Sequence, residues 1–182
     1  DQEVMLEATY GWYWAVDALR QAKFEVHLAH PYGMKRMRKT KRVKTDRADA
    51  YELANLMRLG SLPEAWIAPP ELRELRELVR HRQQLVKAQT SVKAGVRALL
   101  AKHGVRLAAT RLESLIGKEM LDAVELPGIY AQRLESQRRL LMLLGQEIDL
   151  VEVELDRRLK DSKDYRNLLQ VKGIGPTLAA VF

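Results

Sequence analysis

Apolar and polar positions change their period several times along these 182 residues. EVMLEA, residues 3–8, is a short apolar run ending at Glu7-Ala8, and in FEVHLAHP, residues 24–31, Val26 and Leu28 alternate with Glu25 and His27. Alternation with a period of two marks a half-buried strand. Between the two runs, Trp12, Ala15, Val16, Leu19 and Ala22 recur at helical spacing after Gly11, which predicts strand, helix, strand. Two strands joined through a helix are expected to run parallel with a right-handed crossover, so that their carboxyl ends share one edge. Such a pair needs further strands and cover on both faces. The chain is therefore expected to be the middle of a longer protein, a partner chain supplying the other strands being the alternative.

In TDRADAYELANLMRLG, residues 45–60, Thr45 reads as an N-cap and Gly60 as a stop, with Ala50, Leu53, Ala54 and Met57 as the buried stripe. Asp46 and Asp49 extend that stripe towards the N-terminus and are expected to face the sheet edge. SLPEAWIAPPE, residues 61–71, carries three prolines and reads as a linker anchored by Trp66 and Ile67. Long helix follows: Leu72, Leu75, Val79, Arg82, Val86 and Gln89 step in threes and fours, Val92, Val96 and Leu99 continue, and Gly104 closes the run. A second long helix after Pro127-Gly128 runs through Leu134, Gln137, Leu141, Leu144, Ile148, Val151 and Leu155, close to a heptad. Residues 107–126 are expected to form a short helix and a turn. The two long helices imply an antiparallel hairpin, whose seam can face inwards or a second subunit. In LLQVKGIGPTLAAVF, residues 168–182, a G-I-G turn precedes a helix starting after Pro176. Turns of this kind can aim backbone N–H groups at a phosphate, as helix-hairpin-helix modules do, or can simply join two helices.

Charge sharpens this outline. The chain holds 31 Lys and Arg against 24 Asp and Glu, a balance of +7, and Lys35, Arg36, Arg38, Lys39, Lys41, Arg42 and Lys44 account for that whole excess. The basicity is local, which points to one anion-binding surface, nucleic acid above all, against the plainer reading of a solvated loop. Cysteine is absent, which excludes disulfides and thiolate metal sites. No apolar stretch is long enough to span a bilayer and no charged-then-apolar signal opens the chain, so a cytoplasmic location is expected.

The first strand ends at Glu7 and the second near His30, at the same edge. The loop 32–45 leaves from there, and the helix bearing Asp46 and Asp49 starts close by. Ligand sites in open α/β sheets lie at this carboxyl edge. Three carboxylates under a cationic loop form an oxygen-only donor set, which suits Mg²⁺ or Mn²⁺ beside phosphate. Two such ions can activate an attacking oxygen and stabilise a leaving one. Aspartates in a first helical turn are also favoured by the macrodipole alone, and spacing does not separate the two readings. His30 is either a further ligand or structural. Trp12, Tyr13 and Trp14 crowd behind Glu7, where some rings pack on the sheet and others could stack on bases.

The stretch LEATYGWYWAVDALRQAKFEVHLAHP, with the basic loop and K-T-D-R-A-D-A behind it, resembles the N-terminal catalytic domain of the DEDD-type insertion-sequence transposases known as bridge-RNA-guided recombinases. The helical stretch and L-Q-V-K-G-I-G-P-T-L-A resemble their coiled-coil insertion and the opening of their C-terminal transposase domain, so the likeness covers essentially the whole chain. It implies a partial RuvC-like, RNase H-type α/β domain over residues 1–60, a linker and coiled-coil hairpin over 61–160, and the start of a helical C-terminal domain over 161–182. Four acids bind Mg²⁺ in that family, and Glu7, Asp46 and Asp49 match the second, third and fourth. The first would lie on an earlier strand, and a nucleophilic serine would lie beyond Phe182. Further implications are cleavage and rejoining of DNA strands, a structured noncoding guide RNA, and homodimers or higher oligomers formed through the coiled coil. Nucleic acid would be held by the seven cations of the loop, by Arg47, and by Lys172, Gly173 and Gly175. Two other readings stand beside this one: a RuvC-like nuclease or Holliday-junction resolvase, and a noncatalytic nucleic-acid-binding coiled-coil scaffold.

Overall fold

A computed structural model of the chain describes residues 2–37, 45–106, 112 and 114–181. The chain forms two compact units, Asp1–Ala68 and Pro69–Phe182.

The first unit contains β1 (Glu3–Glu7), α1 (Trp12–Gln21), β2 (Glu25–Ala29), α2 (Pro31–Met37) and α3 (Asp46–Arg58). The strands pair in parallel, in a register that sets Glu3 opposite Glu25 and Glu7 opposite Ala29. Side chains alternate across a strand, so Val4, Leu6, Val26 and Leu28 share one face while Glu3, Met5, Glu7, Glu25, His27 and Ala29 share the other. Val16 of α1 is buried with Val26 and Leu28, and Leu6, Trp12, Leu19, Phe24, Ala65 and Ile67 pack around them. The α/β part of the fold is thus a helix laid on one face of a two-stranded parallel sheet.

Two sequence expectations change here. Residues 61–68 are not a free linker. Ala65 N–H donates to the Leu28 carbonyl at 2.7 Å, His30 N–H donates to the Pro63 carbonyl at 2.7 Å, and Glu64 forms an antiparallel bridge with Ala29. The segment satisfies backbone groups at the C-terminal end of β2 that β1 leaves unpaired, and the first unit runs on through Ala68. The loop expected from residue 32 also begins as a helix. Proline is tolerated in a first helical turn, and Pro31 starts α2. Gly33 lets that helix approach closely, since a Cβ there would stand 2.5 Å from Pro63 Cβ. Met34 is buried behind it.

The second unit is a hairpin of two 32-residue helices, α4 (Pro70–Ala101) and α6 (Gly128–Leu159), with α5 (Leu115–Asp122), α7 (Lys163–Leu169) and α8 (Pro176–Ala179). Contacts between the long helices fall in opposite order along the two, from Glu74–Arg158 through Arg82–Glu152 to Gly95–Gln137, so the hairpin is antiparallel. Its core lies in two clusters. Val96, Leu99, Leu100, Leu134 and Leu141 gather with Leu112 and Leu121 at the closed end. Val79, Val151 and Leu155 gather with Tyr165, Ala179 and Ala180 at the other, where Ile174 also packs. Residues 161–182 therefore share a core with the hairpin. Arg82, out of character in an apolar seam, reaches its edge and donates to Glu152 at 2.7 Å. Among the described residues no helix is long and apolar enough to cross a membrane.

The end of α6 carries a charge cluster with a measurable signature. Arg157 Nε donates to Glu154 Oε2 and Arg158 Nε to Glu154 Oε1, both at 2.7 Å. Hydrogen bonds from Arg157 first, and from Arg158 second, hold the Glu154 carboxyl at about 2, below its ordinary 4.5. A depressed folded value means that the stabilisation is present above the unfolded value and is lost as pH falls from 4.5 through about 2. NMR titration of the Glu154 side-chain carbonyl carbon is expected to give a midpoint near 2, and Arg157→Ala to move it upwards. A midpoint at the ordinary value in the unaltered protein would show that the arginines do not hold this carboxylate.

Candidate catalytic edge

Both strands of the first unit end at the same edge, and the turns that leave it carry the candidate residues. Beyond Glu7 the ladder runs one step further, with Ala8 N–H donating to the Ala29 carbonyl at 3.0 Å. The chain then turns through Gly11, whose φ of 77° lies in the left-handed region that an L side chain rarely adopts, and enters α1. Glu7 is half-buried at the strand end, and His30 is exposed where β2 passes into α2. The ring of His30 is engaged locally, its Nδ1 accepting from Gly33 N–H at 3.3 Å.

Helix α3 starts as its sequence predicts. Thr45 is extended, and its Oγ1 accepts from Ala48 N–H at 3.2 Å. Asp49 N–H donates to the Thr45 carbonyl at 3.0 Å, so the cap and the first turn fix Asp46 and Asp49 one above the other. Their negative charge is favoured at this end of the helix. The expected burial differs from what is seen. No residue of α3 is buried: Leu53 and Met57 are half-buried, Ala50 and Ala54 are exposed, Asp49 is half-buried and Asp46 is exposed. The apolar spacing is helical, but among the described residues nothing covers that stripe enough to bury it.

Glu7, Asp46 and Asp49 do not form a group whose ligand atoms come within 4.8 Å of one another. Among the described residues, the group of three that does is Glu3, Glu25 and His27, on the face of the sheet away from α1. Parallel pairing sets Glu3 opposite Glu25, and the two-residue period brings His27 onto the same face. His27 Nδ1 lies 3.0 Å from Glu64 Oε1 and His27 Nε2 lies 3.8 Å from Glu25 Oε1. This histidine thus ties β2 to the segment along its edge. Only the i, i+2 spacing of Glu25 and His27 hinted at the group in the sequence, because the third member comes from another strand.

The cationic candidates are spread over several elements. Lys35 is exposed on α2, Arg36 is in the same helix, and Arg47 is exposed in the first turn of α3. Arg38, Lys39, Lys41, Arg42 and Lys44 lie outside the described residues. In the second unit Lys172, Gly173 and Gly175 are exposed in the turn between α7 and α8, with Gly173 at φ 95° and α8 only four residues long.

Residues 2–104, which include β1, α1, β2 and all three candidate acids, match the DEDD transposases of the IS110 type, a family described as transposase. The chain is 28% identical over 177 residues to a family 20 transposase of Pseudomonas aeruginosa, covering 92% of this chain and 50% of that protein. It is 29% identical over 204 residues to the transposase y4rJ of Sinorhizobium fredii, covering 98% of this chain and 50% of that protein. A shorter match, 40% identical over 63 residues, is to the transposase y4qE of the same organism, covering 35% of this chain and 16% of that protein. The chain thus spans half the length of the two relatives that it matches along most of its own.

Proposed function

This chain belongs to the IS110-type DEDD transposase family, and we propose on that premise that its first unit is part of a RuvC-like, RNase H-type catalytic domain of a DNA recombinase. What supports the reading most is that the matched region holds the parallel β-α-β unit together with Glu7, Asp46 and Asp49. Their donor set is carboxylate oxygen alone, the chemistry that suits Mg²⁺ or Mn²⁺. Glu7, Asp46 and Asp49 would hold the ion together with the remaining acid of the family pattern, and they would have to draw closer than in this structure, where their ligand atoms do not lie within 4.8 Å of one another. When bound, it supplies neutralisation of charge at the scissile phosphate.

The rest of the work falls to the chain's own residues. Thr45 holds the two aspartates in one helical turn. Lys35, Arg47 and the cations of residues 36–44 bind the sugar-phosphate backbone on either side, an attraction that weakens with salt as counterions are released. The nucleophile is a serine carried elsewhere in the protein. A structured guide RNA selects the DNA, the hairpin of α4 and α6 acts as a coiled coil that pairs subunits, and residues 161–182 open the C-terminal transposase domain with Lys172, Gly173 and Gly175 towards phosphate. The location is cytoplasmic.

The test is the fate of the cut strand. Full-length protein incubated with DNA, guide RNA and Mg²⁺, then quenched in denaturant, is expected to carry DNA covalently through its serine. Cut strands that are released free under those conditions would favour the nuclease reading, in which water attacks directly.

A further inference from the structure

Three aromatic rings stand in water at the edge just described. Tyr10, in the turn after β1, is fully exposed, Trp14 in the first turn of α1 is 74% exposed, and Tyr32 in the first turn of α2 is 75% exposed. Rings of this size carry much of the apolar area a small fold has to bury. The neighbouring rings are used that way: Trp12 joins the core of the unit and meets Tyr13 edge to face at 4.4 Å. Trp14 is not in such a place. A Cβ on Gly11 would lie 3.7 Å from Trp14 Nε1, so the indole leans back over the turn rather than down onto the sheet. Tyr32 sits 6.1 Å from the ring of His30 at a tilt.

These rings leave from the ends of two adjacent strands, in a register that sets Glu7 opposite Ala29. Lys35 is exposed one turn beyond Tyr32 on the same helix, and the chain's excess positive charge begins with it. Polar residues flank the rings along the chain, Thr9 before Tyr10, Asp17 one turn after Trp14 and His30 before Tyr32. An apolar protein partner would call for aliphatic side chains around the rings. Flat aromatic faces with the exposed Lys35 one turn from Tyr32 fit nucleic acid, where bases stack on the rings and phosphate meets the charge. Within an intact duplex each base face is covered by its neighbours, so only unpaired bases can stack in this way.

We propose that Tyr10, Trp14 and Tyr32 form a stacking surface for unpaired bases, which holds a single strand with its backbone across the carboxyl edge. The surface rests on the reading of that edge as the catalytic one, and it makes the substrate a strand whose bases beside the cut are unpaired or turned out of the helix.

The experiment compares binding of full-length protein to a single-stranded oligonucleotide and to the same strand with a run of abasic sites. The unaltered protein is expected to prefer the base-bearing strand. Trp14→Ala and Tyr32→Ala are each expected to weaken binding of that strand by about 5- to 150-fold, the range for one stacked base. Trp14→Phe should retain most of the affinity. The slope of log K against log salt should be unchanged in the alanine variants, because no phosphate contact is lost, and should fall in Lys35→Gln. Equal affinity for abasic and base-bearing strands, or unaltered binding by the Trp14→Ala, Tyr32→Ala double variant, would overturn the proposal. The catalytic reading fails separately: a protein that prefers the base-bearing strand yet cleaves DNA normally with Asp49→Asn keeps the stacking surface and loses the catalytic assignment.

Discussion

Asp49→Asn in the full-length protein is expected to lower DNA strand cleavage by more than about 100-fold, the upper end of what losing an outer partner of a metal site costs, because on the proposed reading Asp49 is a direct ligand. Asparagine keeps the size of the side chain and removes its charge, so the substitution separates chemistry from folding. Asp49 is half-buried in the first turn of α3, where the Thr45 hydroxyl and carbonyl also hold the helix start. Loss of the Asp49 charge removes a helix-dipole contribution of about 0.3–1 kcal/mol. DNA affinity at low salt should hold, since the cations proposed to bind phosphate are untouched. Asp46→Asn and Glu7→Gln are expected to behave alike. The measurement is single-turnover cleavage over a range of Mg²⁺ concentrations. Unaltered rates in all three variants would favour the noncatalytic scaffold and remove the acids from the mechanism.

The second large effect is on stability. Leu99→Ala should destabilise the hairpin by about 2–5 kcal/mol, the cost of deleting a buried leucine where neighbours cannot close the gap. Leu99 is 1% exposed and lies among Val96, Leu100, Leu112, Leu121, Leu134 and Leu141, which reach it from both long helices and from the segment that joins them. Three directions of packing leave little room for collapse. Urea unfolding is expected to show a lower midpoint at an unchanged slope. Leu150→Ala provides the contrast, since Leu150 is 63% exposed on α6 and its loss should stay within about 0.5 kcal/mol. A Leu99→Ala midpoint matching that of Leu150→Ala would mean that the closed end of the hairpin is not packed as described.

Much of the framework was legible in the residues. The apolar run EVMLEA located β1, the alternation of Val26 and Leu28 with Glu25 and His27 located β2, and the spacing of Trp12, Val16 and Leu19 located α1. The seam positions Leu134, Leu141, Ile148, Val151 and Leu155 are the buried residues of α6. Thr45 caps α3, and Gly60 at φ 62° follows it. These features are local: periodicity, capping and turn chemistry act within a few residues. Other features were not legible. Residues 32–45 read as a loop, whereas here a helix opens at Pro31 and Gly33 lets it approach Pro63. The acids show the same limit. Spacing brought Asp46 and Asp49 together on one turn, but distances between elements decide whether Glu7 joins them; among the described residues the close group is Glu3, Glu25 and His27.

The order of residues alone determined β1, α1, β2, α3 and the two long helices, where α3 and α6 begin, and that the excess positive charge is concentrated between residues 35 and 44. Each follows from interactions between near neighbours or from a count. Only the tertiary structure decided that residues 61–68 pair with the end of β2, that α3 leaves its apolar stripe partly open, and that Tyr10, Trp14 and Tyr32 remain in water while Trp12 packs. The physical reason is that burial and edge pairing depend on what another segment brings to the same place. An amphipathic pattern states which face should be covered, and the partner that covers it has to come from elsewhere in the fold.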